Sequence, residues 1–276
     1  MTVPQEVDRL TREFGWSSCL LGPHADGTFS LDSSRVSSSY TSDQMEELDE
    51  GDGGWWYQTR NQVVQSVLRE HPVDGFLWEV GSGSGLVTKS VIESGGRAVA
   101  IEPSTRGAQL SAQRGVPSIN GVLQDLRLPA DSLAGVGMFD VLEHLTHRNE
   151  MLSEVHRLLK PNGKLYLTLP ALQPLWSQFD VDAGHHLRYS KRMIQRELRE
   201  AGFEVVKVKY FFLLSLPVVF LVRAVPFRLG RKQLVATGTM LRSEIGVLGK
   251  VATALELWWS KVGLIGTSLL VVARKP

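Results

Sequence analysis

The sequence predicts an α/β fold, an open and mostly parallel sheet with helices on both faces, and three observations predict it. Short apolar runs alternate with helix-length amphipathic segments from residue 76 to residue 210. The first of these runs ends in a glycine-rich turn that opens a helix, the arrangement in which parallel sheets bind ligands at their C-terminal strand ends. The composition is that of an ordinary globular chain: 276 residues, 43% hydrophobic and 21% charged, which excludes collagen, coiled coil and wholesale disorder.

Taken in order, residues 1–54 read as a partly ordered arm. They carry the Ser-rich stretch Ser33–Ser39 and the acidic run Glu46–Asp52 and show little core of their own. Aromatics arrive abruptly at Trp55-Trp56-Tyr57. From Gln58 to Glu70 the positions Val63, Val64, Val67 and Leu68 recur at helical spacing. Phe76–Val80 reads as a buried strand, Leu86–Ser94 as a helix closed by Gly95-Gly96, Ala98–Ile101 as a strand and Ser104–Arg114 as a helix. Val136–Phe139 is the next strand. Glu150–Leu159 is a helix stopped by Lys160-Pro161-Asn162-Gly163, and Lys164–Leu169 is a strand. Ser190–Ala201 is a helix closed by Gly202, Phe203–Tyr210 a strand, and Thr267–Ala273 the last strand.

Residues 211–261 break this rhythm and read as an insertion before the last strand. Phe211–Val222 is almost wholly apolar, and Arg223, Arg228, Arg231 and Lys232 follow it. Glu244–Lys261 places Ile245, Leu248, Val251, Leu255 and Trp258 at the spacing of an amphipathic helix. The domain organisation expected is therefore an arm over 1–54, a ligand-binding domain over 55–210 and 262–276, and a helical insertion over 211–261.

The net charge of +1 is unevenly spread: −7 over residues 1–60, −3 over 61–150 and +11 over 151–276. A basic C-terminal half suits a phosphate, an anionic lipid or a nucleic acid, or forms a solvated surface. The single cysteine, Cys19, excludes a disulfide framework and a zinc site built on several thiolates, and fits a reducing, cytoplasmic compartment. The N-terminus MTVPQEVDRL has no apolar h-region, so no signal peptide is expected. Phe211–Val222 would reach about 18 Å as a helix, short of the roughly 30 Å of a bilayer core. A buried helix, a hydrophobic lid, a dimer interface and a membrane-surface contact through 211–232 all remain open for it; Trp258-Trp259 suits any of the exposed roles.

The sharpest chemical signal is Glu79-Val80-Gly81-Ser82-Gly83-Ser84-Gly85, where glycines permit a tight turn and close backbone approach to a ligand. The spacing is G-x-G-x-G. A dinucleotide fingerprint would need glycine where Leu86 stands, which argues against a nicotinamide-dependent dehydrogenase. The acid before the turn suits a cationic ligand group better than a pyrophosphate. Glu102, at the end of the second strand, is placed to accept hydrogen bonds from a ribose diol.

From here the chain resembles the class I S-adenosylmethionine-dependent methyltransferases. Gln124-Asp125-Leu126 with Leu128-Pro129, the run Phe139-Asp140-Val141-Leu142-Glu143-His144-Leu145 and the turn Leu158-Leu159-Lys160-Pro161-Asn162-Gly163 match that family's segments in order and spacing over about residues 76–170. A narrower resemblance, to methyltransferases of bacterial secondary-metabolite, glycan and lipid pathways, rests on Trp56-Tyr57 with Arg60-Asn61 and on Pro170-Ala171, Leu175-Trp176-Ser177, Asp180, Gly184-His185 and Arg188-Tyr189. This sequence departs from that subgroup at Leu187, where an arginine is usual, and at Ala134, where an acid is usual.

The resemblance implies a Rossmann-like, seven-stranded sheet with S-adenosyl-L-methionine as cofactor and S-adenosyl-L-homocysteine as product. It places Gly81, Ser82, Gly83 and Gly85 around the methionine portion, with Glu79 near its ammonium, and gives Glu102, with Pro103 next to it, the ribose. It gives Asp125 and the Leu126 amide the adenine, and puts Asp140 and Val141 beside the sulfonium, with Tyr57 and Arg60 alongside. Transfer would be a direct displacement that rests mostly on alignment, with a base for the acceptor's proton. His185, His144 and His186 compete for that role. His185 and His186 with Asp180 or Asp182 would make a poor metal site on one loop, so no metal is expected. The expected substrate is a hydrophobic small molecule. A non-catalytic cofactor-binding protein on the same fold is the alternative. A nucleic-acid substrate is disfavoured by the lack of an "N-P-P-Y"-like tetrad, a zinc module or an Arg-rich arm.

Overall fold

The strand that ends in the glycine turn lies at the centre of the sheet, flanked on each side by a parallel neighbour. The computed structural model describes residues 28–30, 54–231 and 246–276. The expectations for Cys19, Ser33–Ser39, Glu46–Asp52, Lys232 and the start of the second insertion helix, Glu244 and Ile245, lie outside the described residues.

The strands are β1 (Phe29–Ser30), β2 (Phe76–Val80), β3 (Arg97–Glu102), β4 (Ser118–Asn120), β5 (Leu133–Phe139), β6 (Leu159–Pro170), β7 (Glu204–Phe211) and β8 (Ser268–Arg274). They are ordered β1-β4-β3-β2-β5-β6-β8-β7. β8 runs antiparallel to both β6 and β7, and the other pairs are parallel. Seven of these strands make the open, mostly parallel sheet that was expected, and β1 adds a two-residue edge from the N-terminal arm. Chain order reverses between β2 and β5, which opens a crevice beyond their C-terminal ends.

Two of these strands refine the sequence reading. β4, in Val116-Pro117-Ser118-Ile119-Asn120, has only three residues and no alternation to announce it. β6 begins at Leu159, before the Lys160–Gly163 turn, because Leu159 pairs with Leu133 across an irregularity in the β5 ladder. The helices are α1 (Trp55–Glu70), α2 (Leu86–Glu93), α3 (Thr105–Gln113), α4 (Arg148–Leu158), α5 (Gln178–Asp182), α6 (Lys191–Glu200), α7 (Ser215–Val219), α8 (Val225–Arg228) and α9 (Val247–Val262). The apolar stretch after β7 is broken: a π-helical turn, Phe220–Ala224, separates α7 from α8.

Alternate side chains on the central strands serve two cores. Trp78 and Val80 of β2 pack with Val99, Ile101, Leu152, Val155 and Ile194 on one face. Leu77 packs with Val63, Val64 and Val67 of α1, Val87 and Val91 of α2, and Tyr166 on the other. The Tyr166 hydroxyl donates to the His71 carbonyl at 2.5 Å and ties the end of α1 to β6. α1 therefore lies across the sheet with its N-terminal turn at the strand ends that bound the crevice.

Candidate functional site

The turn after β2 is left-handed at three glycines, with φ of +71° at Gly81, +55° at Gly83 and +78° at Gly85. The three serve different ends. A Cβ on Gly81 would meet Val141 at 2.8 Å, and one on Gly85 would meet the Ser111 hydroxyl at 2.2 Å, so these two let the turn close against β5 and α3. A Cβ on Gly83 would meet nothing within 4 Å, so the space above the middle of the turn is open. The buried Ser82 hydroxyl has no hydrogen-bond partner. An open space lined by backbone and an orphaned hydroxyl is what a polar ligand would fill.

Glu102 closes one side of this cradle. Its carboxylate accepts from the Gly83 amide at 2.8 Å and from the Ser104 amide at 2.7 Å. Burial pushes its pKa up to about 7 against the pull of those two amides. Gly107 of α3 packs on it: a Cβ there would meet Glu102 Cγ at 2.8 Å. Asn120 of β4 donates to the carbonyls of Glu102 and Pro103 and holds the strand end in place. Glu79 is fully enclosed and turned to the start of α2, accepting from the Thr88 amide at 2.7 Å and from the Thr88 hydroxyl. Its pKa is likewise pushed up by burial to about 7. Asp125 stands half-buried on a 3-10 turn, Leu123–Leu126, while Leu126 is part of the core.

The opposite side is built by Asp140, in the left-handed region at φ +58°, and by Arg60 of α1. The Arg60 guanidinium bonds Asp140 at 2.8 Å and lies over the rings of Trp56 and Tyr57 at 5.0 and 5.3 Å. Trp56 stacks on Phe212 at 5.4 Å, and Trp55 contacts the same ring, so the aromatic triplet joins the site to the insertion. The sequence reading put Arg60 and Asp140 in one site without pairing them.

The histidines gather beyond β5. His144 and His185 meet edge to face, ring centroids 4.7 Å apart. His185 Nδ1 bonds Asp180 Oδ1 at 2.9 Å, and the same oxygen accepts from Arg188 Nε at 2.8 Å. Arg188 thus anchors this carboxylate, and the adjacent Leu187 packs on the core. Burial and the neighbouring His185 lower the His144 pKa to about 4. His186 is exposed: its amide donates to the Glu143 carbonyl at 2.9 Å, and its ring reaches Thr146. Sequence reasoning missed Glu143, which lies inside the quoted Phe139–Leu145 run. Its carboxylate is fully buried, and neither oxygen has a hydrogen-bond partner.

No curated protein matches the sequence. Among solved structures, a SAM-dependent methyltransferase from Thermotoga maritima aligns with a TM-score of 0.57 at 17% identity, over 85% of this chain and 97% of that one. The methyltransferase solved with the Trm112 activator of Haloferax volcanii gives 0.56 at 17%, over 85% and 96%. The phosphoethanolamine N-methyltransferase 2 of Haemonchus contortus, in complex with S-adenosyl-L-methionine, gives 0.56 at 15%, over 87% of this chain and 58% of that one. At these identities the likeness is one of fold. A family profile described as a methyltransferase domain matches residues 55–208, more than half of the chain and every element of the cradle. The chain belongs to that methyltransferase family and carries the fold of the class I S-adenosylmethionine-dependent enzymes.

Proposed function

We propose that this protein transfers a methyl group from S-adenosylmethionine to an oxygen, or next a nitrogen, of a hydrophobic small molecule or lipid-like acceptor. The observation that carries the reading is the strand-end cradle: an open turn at Gly83, an orphaned Ser82 hydroxyl and a carboxylate, Glu102, oriented by two backbone amides. When bound, S-adenosylmethionine supplies an electrophilic methyl on a cationic sulfur. The Gly81–Gly85 backbone would hold its methionine portion, and Glu102 would accept from the ribose hydroxyls. Asp125 and the Leu126 amide would meet the adenine. Asp140 and Val141 would flank the sulfur, Asp140 held in place by Arg60. The acceptor would lie on the His144–His185 side and lose its proton there. Fixing donor and acceptor in line removes most of the entropic barrier.

Calorimetric titration with S-adenosylmethionine, S-adenosylhomocysteine and NADH tests this. Micromolar binding of the two sulfur ligands and none of NADH is expected. No binding of either sulfur ligand would refute the cofactor role and favour a non-catalytic protein on the same fold.

The insertion supports a hydrophobic acceptor delivered from a membrane surface. α9 is inverted: Thr253, Glu256 and Ser260 are buried, while Leu248, Val251, Leu255 and Trp258 form an exposed stripe, Leu248 at 86% and Trp258 at 62%. Leu221, Leu229, Leu264 and Ile265 of the same insertion and of the loop after α9 are also exposed. The inward face is polar because Glu256 accepts from the Leu213 and Leu214 amides at 2.9 and 2.6 Å and Thr253 bonds Thr59 of α1. Every exposed charge described between residues 212 and 266 is basic: Arg228, Arg231, Lys250 and Lys261. An exposed apolar stripe in a segment whose described exposed charges are all basic fits an anionic lipid surface, and no described helix is long and apolar enough to cross a membrane. Sedimentation with phosphatidylglycerol-containing vesicles, and not with pure phosphatidylcholine, is expected, and Leu248→Glu with Leu255→Glu should abolish it. Dimerisation lost in the same variant, with no vesicle binding, would assign the stripe to a second copy instead.

A further inference from the structure

On the acceptor side of this site, Glu143, His144 and His185 each offer one ligand atom, and these three atoms all lie within 4.8 Å of one another. From this cluster we propose a binding site for one divalent transition-metal ion of the zinc or manganese class. It rests on the methyltransferase reading only for what the ion would do, and not for whether it binds.

The independent observation is Glu143. Its side chain is completely buried, and neither carboxylate oxygen accepts a hydrogen bond. Beyond its own backbone amide, only Arg188 and Arg60 favour its charge, through space and against the nearby Asp140, and Arg60 is bonded to Asp140 and Arg188 to Asp180. A buried carboxylate with no partner is costly, and either a proton or a cation must satisfy it. Two imidazoles at the same point favour the cation.

Both histidines are held in the way that metal-bound imidazoles usually are. His185 Nδ1 is fixed by Asp180, which is itself held by Arg188 and by the Ser177 amide at 2.9 Å, so Nε2 is the nitrogen left for a ligand role. His144 is tied to the backbone carbonyls of Ala183 and Gly184, on the loop that carries His185. Two nitrogens and one oxygen suit zinc or manganese better than calcium or magnesium, and three protein ligands leave positions open for an acceptor oxygen. Ligand atoms about 2.1 Å from one ion sit roughly 3.0–3.5 Å apart, so closing on the ion requires separations of up to 4.8 Å to shorten by up to about 1.3–1.8 Å. The set differs from the one-loop arrangement considered from sequence: Asp180 orients His185 and is not a ligand, Asp182 bonds Gln178, and the exposed His186 ring reaches Thr146. An acceptor hydroxyl coordinated here would lose its proton more readily, and its oxygen would face the cradle as the nucleophile.

The test uses the full chain stripped with a chelator. Calorimetric titration with Zn²⁺ and separately with Mn²⁺, with metal content measured after desalting, should give one ion per chain for at least one of them. Glu143→Gln and His185→Gln should each weaken binding by at least tenfold, while His147→Ala, on the exposed surface, should leave it unchanged. Thermal unfolding with and without metal provides a readout without turnover: the ion should raise the midpoint of the wild type and not of His185→Gln. No stoichiometric binding by the wild type, or binding that survives both cluster substitutions, overturns the proposal. Titration of each variant with S-adenosylhomocysteine in parallel separates a failed metal site from a failed cofactor site.

Discussion

Glu102→Gln replaces a buried acid with an isostere that cannot ionise, and so isolates what the ionised carboxylate costs the protein without ligand. Burial raises the pKa from 4.5 to about 7. Because the folded value is the higher one, the folded chain holds a proton that the unfolded chain has lost. Its stability therefore falls as pH rises from about 5 through 7 and levels off above. Between pH 5.5 and pH 8.5 this linkage removes about 2 kcal/mol from the wild type and nothing from the variant. For a chain of this size that is about 4–8 °C in Tm. Glu79, also raised to about 7, chiefly by burial and least by Glu102, contributes a similar slope to both proteins and largely cancels in the difference. Ligand binding should run the opposite way. A ribose diol donates to the ionised carboxylate, so affinity for S-adenosylhomocysteine should rise about tenfold from pH 6 to pH 8 in the wild type. In Glu102→Gln it should be weak and flat. Thermal unfolding across pH and calorimetry at the two pH values read both effects. A wild-type-minus-variant Tm difference that does not change with pH would refute the linkage. An unchanged affinity in the variant would refute the ribose assignment.

Three further outcomes follow from the same geometry. Gly85→Ala forces a side chain into the left-handed region and onto Ser111; it should cost about 2–4 kcal/mol in denaturant unfolding, and Ser111→Gly should restore only the part due to overlap. Arg60→Met should cost about 1–3 kcal/mol by leaving Asp140 without its partner, and a double variant with Asp140→Asn should recover part of it, which a double-mutant cycle measures. His185→Ala should cut turnover at least tenfold and leave S-adenosylhomocysteine affinity unchanged; wild-type turnover would remove this side chain from the reaction.

The parts of the molecule that were legible in the sequence are those whose signal is local. Phe76–Val80 with its glycine turn can be read from a few residues, because strand length, turn and helix start are contiguous. Glu102 is equally plain, as the last residue of the next strand. β4 was hidden because three residues cannot show a period. Glu143 was hidden for another reason. Its environment is made by Ala183–His186, about 40 residues later, and by Arg60, about 80 residues earlier, so nothing in Phe139–Leu145 itself marks it as a buried and unpartnered acid.

α9 shows most clearly what a periodic pattern leaves open. The spacing of Leu248, Val251, Leu255 and Trp258 specifies a stripe on one side of a helix, but it does not say which side meets the protein. In most amphipathic helices the apolar side turns inward because burial there is worth about 25 cal/mol per Å². Here the inward side is decided by demands from elsewhere in the chain. Phe212, at φ +61°, turns the backbone sharply out of β7 and leaves the Leu213 and Leu214 amides without strand partners, and Glu256 supplies their acceptors. Thr253 meets Thr59 on the helix that carries Arg60. Turning α9 about its axis would carry Glu256 out to solvent and leave those amides unsatisfied. The polar side is thereby held against α1, and the apolar stripe is left outward.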